Sequence, residues 1–119
     1  MDFCNMSKAI DHLEESERII LKELKTKLLE LLGSNLEAVI LFGSKARGDY
    51  DNDSDIDVAI IVNYLDRNLK RNILSIVTNL ETEYGIPLST LVISREEFEL
   101  LKRRERRIAL DIEREGIEI

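Results

Sequence analysis

Between Leu36 and Val62 the chain reads LEAVILFGSKARGDYDNDSDIDVAIIV, two apolar β-branched runs divided by a polar loop. Runs this short and this apolar are buried strands. They predict strands over Glu37–Phe42 and Asp55–Val62, the second opening on two acids. Both need cover, and the flanking segments supply helices. Over Ser16–Leu32, Ile20, Leu24, Leu28 and Leu31 fall on one stripe, widened by Leu21 and Leu32. Lys22, Glu23, Lys25, Lys27 and Glu30 lie off that stripe, and Gly33 stands where a C-cap belongs. Over Asn68–Tyr84, Leu69, Ile73, Ile76, Val77 and Leu80 recur at helical spacing before Gly85. Pro87–Ile93 is a third strand, with Pro87 at its first position or on an edge. Ser94-Arg-Glu-Glu97 reads as a capping box, with Glu97 reaching back, opening one helix that runs to about Glu115 and stops at Gly116. Ile117-Glu118-Ile119 alternates, as an edge strand or a packed tail. Residues 1 to about 15 are weakly patterned, a loose arm or an extra helical turn. The expected fold class is α/β (α+β): two layers, with a small mixed β-sheet flanked by helices.

At 119 residues, 44% hydrophobic and 34% charged, with one proline and five glycines, the chain suits a single domain over 1–119. A net charge of −7 disfavours a nucleic-acid partner, because phosphate contacts need a basic face. Cys4 has no second cysteine to pair with, which fits a reducing cytoplasm. The first residues lack a basic region followed by an apolar one, and no apolar run approaches the length of a membrane span. His12 is the single histidine, so no paired-histidine metal site exists.

The chemistry concentrates in the loop and its borders. A strand that ends in Gly43-Ser44 and turns into a helix aims backbone N–H groups at an anion above it. Alone, the step reads more simply as an ordinary turn with a serine N-cap. Two neighbouring motifs fail. Gly43 to Gly48 has the glycine spacing of a P-loop, but Asp49 and Tyr50 stand where Lys and Ser/Thr are required. The alternating aspartates 49, 51, 53, 55 and 57 start like a calcium loop. From Asp49, however, the sixth position is Ser54, not glycine, and the twelfth is Ile60, not glutamate. Asp55 and Asp57 are two apart on a strand and so share a face. As neighbouring carboxylates they repel, and Mg²⁺, which takes one or two carboxylates plus substrate phosphates, relieves this. A solvated acid pair at a strand end is the plainer alternative.

Together these features resemble the nucleotidyltransferase family of the polymerase-beta superfamily, whose signature is Gly-Ser, about ten residues, then Asp-x-Asp. The minimal nucleotidyltransferases add Gly-Ser-x-Ala-Arg-Gly before Ser-Asp-x-Asp, matched here by Gly43, Ser44, Ala46, Arg47, Gly48, Ser54, Asp55 and Asp57. The element order and the closing Glu-Gly-Ile-Glu-Ile extend the resemblance over roughly residues 16 to 119. It implies a polymerase-beta-like nucleotidyltransferase fold and a Mg²⁺-dependent transfer from ATP or another NTP. Minimal members are usually antitoxins encoded beside a helical HEPN protein, and some transfer AMP to a tyrosine of that toxin. By the same resemblance, Gly43 and Ser44 hold the β- and γ-phosphates and Asp55 and Asp57 hold the metal. Arg47 and Lys45 neutralise triphosphate charge, with a salt bridge to a loop aspartate the alternative for Arg47.

The family also uses a third carboxylate on the strand that here carries Leu88, Ser89 and Thr90, with no acid. Register makes Ser89 the expected occupant of that place, with Glu81 and Glu83 on the preceding helix poorly aimed to substitute. The gap keeps open a second role, a binding antitoxin that neutralises its partner by complex formation. A small-molecule adenylyltransferase completed by another subunit is a third, and a homo-oligomer is compatible with all of them. Lys102-Arg-Arg-Glu-Arg-Arg107 is the one basic cluster. It reads as a solvated helix face, a docking patch for an acidic partner, or a source of triphosphate attraction. No aromatic residues interleave it as nucleic-acid binding would favour.

Overall fold

The computed structural model describes residues 13–43 and 55–119. The expectations for the N-terminal arm, Cys4, His12 and the loop from Ser44 to Ser54, including Lys45 and Arg47, lie outside the described residues.

Helix α1 (Glu15–Leu32) leads through a short 3₁₀ turn into strand β1 (Leu36–Phe42). Strand β2 (Ile56–Val62), helix α2 (Arg67–Tyr84), strand β3 (Leu88–Ser94), helices α3 (Arg95–Arg103) and α4 (Arg107–Glu115), and strand β4 (Ile117–Glu118) follow. The sheet order is β3-β2-β1-β4, with β1 antiparallel to β2 and β4 and β2 parallel to β3. The mixed sheet is as expected, and the closing residues take the strand option. Ile119 N–H also donates to the Val39 carbonyl, 2.8 Å away, and Lys25 Nζ donates to the Ile119 carbonyl.

Two layers were expected, and the sheet is covered on both faces, making three. Strands alternate, so each contributes to two separate cores. Val39, Leu41, Ile56, Val58, Ile60, Val62, Leu88 and Val92 face α1 and α2, meeting Ile20, Leu24, Leu28, Ile73, Val77 and Leu80. Ala59, Ile61 and Ile93 face α3 and α4, meeting Phe98, Ala109 and Ile112. This double burial is why β2 reads as an unbroken apolar run.

The α1 stripe holds with one correction. Leu31 is 39% exposed, and Leu32 one residue on takes the inward seat. At the other end Glu17, nearly buried, returns its carboxylate to the Glu14 backbone N–H at 3.0 Å. Helix α2 begins at Asp66, whose carboxylate accepts the Leu69 N–H, and closes at Gly85 in the left-handed region. The far end of the β1–β2 pair is clasped by Asn35, whose side chain donates to the Tyr64 carbonyl and accepts the Tyr64 N–H.

A single helix from Ser94 to Glu115 was expected, and the chain breaks it at 104–106. Phe98 and Leu101 start an inward stripe whose next seat is Glu105, a charge that burial would penalise. The break leaves Glu105 exposed and lets α3 lie on β3 and β2 while α4 lies on β1. Ser94 Oγ accepts the Glu97 N–H at 3.1 Å as expected, but Glu97 is exposed and returns no bond among the described residues. Lys102 joins the two helices, reaching Glu99 at 3.3 Å and Glu113 at 3.2 Å while lying over the Phe98 ring. The hydrogen bonds to Glu113 and Glu99 push its pKa up, so the tie is present at neutral pH and lost as the pH rises through the raised value.

Glu105 has φ +54, a conformation that disfavours any residue with a Cβ. Glu105→Gly is expected to raise the stability to urea by roughly 0.5–1 kcal/mol, the strain relieved being partly offset by a freer unfolded chain. An unchanged or lower midpoint would show that the turn is not strained.

Candidate functional site

Pairing on both sides of β2 lines residues up across the face covered by α3 and α4. Ala38, Ile61 and Ile93 form one rung, Ile40, Ala59 and Leu91 the next, and Phe42, Asp57 and Ser89 the third. The first two rungs are apolar and lie in or against the core under Phe98, Leu101, Ala109 and Ile112. In the third the core gives way to polar groups, with Asp57 half-buried and Ser89 exposed. Asp55 precedes the strand, exposed, on the side of Asp57 by alternation. The structure therefore brings together Asp55, Asp57 and Ser89 at the end of the sheet where β1 finishes.

Gly43 completes this end. It follows Phe42, the cross-strand partner of Asp57, and has φ +74. A Cβ built there would overlap Asp57 Oδ2, and would lie 3.1 Å from Asp57 Cγ and 3.3 Å from its Cβ. The carboxylate thus rests against the Gly43 backbone, and only glycine satisfies both the dihedral and the contact. Ser44 and Arg47, the other expected nucleotide contacts, lie outside the described residues.

The acid pair itself is less strained than its sequence suggests. Side chains two apart on a strand are about 6.6 Å apart. Two unit charges at that distance repel by ~2.5 kcal/mol at an effective dielectric of about 20, and by ~0.6 kcal/mol in bulk water. Exposure of Asp55 puts the pair nearer the lower figure. The two carboxylates nonetheless fit Mg²⁺, a hard ion that accepts one or two carboxylates and takes its remaining oxygens from phosphates and water. No cluster of three His, Cys, Asp or Glu occurs among the described residues.

Ser89 is the register partner of Asp57. Of the two acids on α2, Glu81 has another task. Its carboxylate accepts the Leu88 backbone N–H at 2.8 Å and fastens the helix end to the start of β3. Sequence reasoning missed this role, since nothing local marks a helix acid that reaches seven residues ahead. A groove of about 480 Å³ lined by Arg67, Lys70, Arg71, Leu74, Ser75, Thr78 and Asn79 runs along α2, on the opposite side of the sheet from Asp57.

Comparison with known proteins decides the family, because the nucleotidyltransferase domain model matches residues 20–114. The chain belongs to the nucleotidyltransferase domain family. Among relatives, it is 39% identical over 77 residues to "Putative protein adenylyltransferase MJ0141" of Methanocaldococcus jannaschii, covering 64% of this chain and 78% of the relative. A second protein of that organism, "Putative protein adenylyltransferase MJ0604", is 35% identical over 83 residues, covering 70% and 79%. A crystal structure of the toxin–antitoxin MntA-HpeT shares the fold at TM-score 0.51 and 21% identity, covering 90% of this chain and 72% of that one. These results agree with the expected polymerase-beta-like fold of a mixed sheet flanked by helices.

Gly43→Ala is expected to destabilise the protein by roughly 1–2 kcal/mol from the backbone conformation alone, measured by urea unfolding. The Asp57 carboxylate must also move, so Mn²⁺ affinity, followed by electron paramagnetic resonance, should fall more than in Gly85→Ala, where a Cβ meets nothing within 4 Å. Equal Mn²⁺ affinity in the two variants would show that the Gly43–Asp57 contact is not part of an ion site.

Proposed function

We propose that this nucleotidyltransferase acts in the cytoplasm as a Mg²⁺-dependent enzyme that moves AMP from ATP to a hydroxyl of a partner protein, an HEPN-type toxin, and so serves as its antitoxin. The observation that carries this reading is the third rung, where Asp57 leans on Gly43 at the polar end of an otherwise apolar face. The names of the Methanocaldococcus relatives support protein as the acceptor, and the MntA-HpeT likeness is compatible with a toxin partner.

In this reading Asp55 and Asp57 hold the ion, and Gly43, by lacking a side chain, lets the Asp57 carboxylate lie against its backbone while that backbone meets the triphosphate. Ser44 donates a further hydrogen bond to the triphosphate and Arg47 offsets its charge. Bound Mg²⁺ would supply charge neutralisation for the α-phosphorus and the pyrophosphate leaving group. Catalysis of this type is chiefly positioning and electrostatics, so rigid placement of the carboxylates by paired strands is the chain's own contribution. Incubation with labelled ATP, Mg²⁺ and the product of the neighbouring gene is expected to label that product. Asp55→Asn with Asp57→Asn should lower the label by roughly 10²-fold or more. Labelling undiminished in the double variant would sink the assignment of the acid pair.

A second reading has its own observation. Ser89 stands beside Asp57 and Glu81 is engaged by the Leu88 N–H, so no further acid reaches the rung from β3 or α2 among the described residues. That favours a slow or inactive protein that neutralises its partner by binding. The double aspartate variant separates the two, because binding alone survives it and enzymatic neutralisation does not. Ser89→Asp, which places a carboxylate next to Asp57, is expected to speed AMP transfer roughly tenfold if proton removal from the acceptor is limiting. A decrease would indicate that the serine side chain is itself required.

A further inference from the structure

The corner between α3 and α4 holds four exposed arginines, Arg103, Arg104, Arg106 and Arg107, beside Ile108, which is 40% exposed. The ion pairs of this region fall elsewhere. Lys102, from the same basic run, is taken up by Glu99 and Glu113 and by the Phe98 ring. Arg103, Arg104 and Arg106 have no ion-pair partner among the described residues, and Arg107 has only Asp111, at 3.9 Å with its own side chain 94% exposed. Glu105, exposed and turned by its positive φ, is the one acid inside the corner. Three guanidinium groups without an ion-pair partner and a fourth in one long, exposed pair, on a chain of net charge −7, form a local positive field.

The placement of the corner follows from the helix that precedes it. Helix α3 starts at Ser94, the register partner of Val62, at the end of the sheet remote from Asp57. Phe98 and Leu101 then pack on the rungs formed by Ile93, Ile61, Leu91 and Ala59, so the helix runs back over the face. Nine residues of helix climb about 13 Å, and five residues of β3 from Ser94 to Ser89 span about 16 Å. The corner is thereby delivered toward the rung of Phe42, Asp57 and Ser89.

We propose that this corner is a docking surface for an acidic segment of the partner protein, with Ile108 receiving an apolar side chain of that segment. The proposal rests on the reading that the acceptor is a protein, and it names the chemistry by which that acceptor is held. Charge complementarity selects the occupant. A short acidic peptide meets only the arginines, whereas a nucleic-acid backbone extends past them onto a strongly acidic remainder. Planar guanidinium groups suit carboxylates, which they bind two bonds at a time.

The test measures fluorescence anisotropy of a short labelled oligoglutamate peptide bearing one central leucine, with an oligouridylate of equal charge as the rival probe. The variant Arg103→Gln, Arg104→Gln, Arg106→Gln and Arg107→Gln is compared with Arg67→Gln, Lys70→Gln and Arg71→Gln on α2, and circular dichroism confirms that both fold. The corner variant should bind the peptide roughly tenfold more weakly or worse, since each exposed pair is modest and several act together. The α2 variant should bind as the parent does. Equal losses in both variants, no loss in either, or tighter binding of the oligouridylate would each overturn the proposal. MgATP affinity, measured in parallel, should be the same in the parent and the corner variant. If the parent fails to bind MgATP, the nucleotide reading fails while the peptide result still decides the corner.

Discussion

Asp57 is positioned by backbone pairing on both of its flanks. On one side it is the register partner of Phe42 in an antiparallel ladder, and on the other it is the partner of Ser89 in a parallel one. Neither pairing involves its side chain. The carboxylate is therefore located by strands whose interiors are apolar and fully packed, and it meets the backbone of the next residue along β1, Gly43. A group fixed this way loses little by being polar, because the ladder beneath it is stabilised by Ile40, Ala59 and Leu91 and their neighbours.

The two cores divide the work. The larger, beneath α1 and α2, contains most of the fully buried leucine and isoleucine. The smaller, beneath α3 and α4, covers two of three rungs and stops. Two short helices in place of one long one produce that partial cover, and the same break sets four arginines at an exposed corner. A feature that first serves to avoid burying Glu105 thus also shapes the electrostatics beside the site.

Most of the sheet could be read from sequence because its physics is local. β2 is apolar on both faces, and Asn68–Tyr84 keeps helical spacing through four turns. The Gly43, Asp55 and Asp57 set was visible because each residue type is costly or unusual where it stands. What could not be read was set by tertiary competition. The choice between Leu31 and Leu32 depends on where α1 lies against the sheet, and both are apolar. The split of the last helix depends on two strands offering separate surfaces, which no periodicity encodes. Glu81 looked like one surface acid among many until the return of β3 gave it the Leu88 N–H. Three layers were mistaken for two because a strand buried on both faces does not say how many helices cover each.

The alternation along β2 also determines what kinds of genetic change the protein tolerates. Odd positions carry Asp57, Ala59 and Ile61 toward α3 and α4, and even positions carry Ile56, Val58 and Ile60 toward α1 and α2. Many exchanges among apolar residues at these positions preserve that division. Gain or loss of one codon does not, since it sends every following side chain to the opposite face relative to those before it. The strand is thus lenient to spelling and strict about length, and drift in this family should show substitutions in β2 but almost no insertions or deletions.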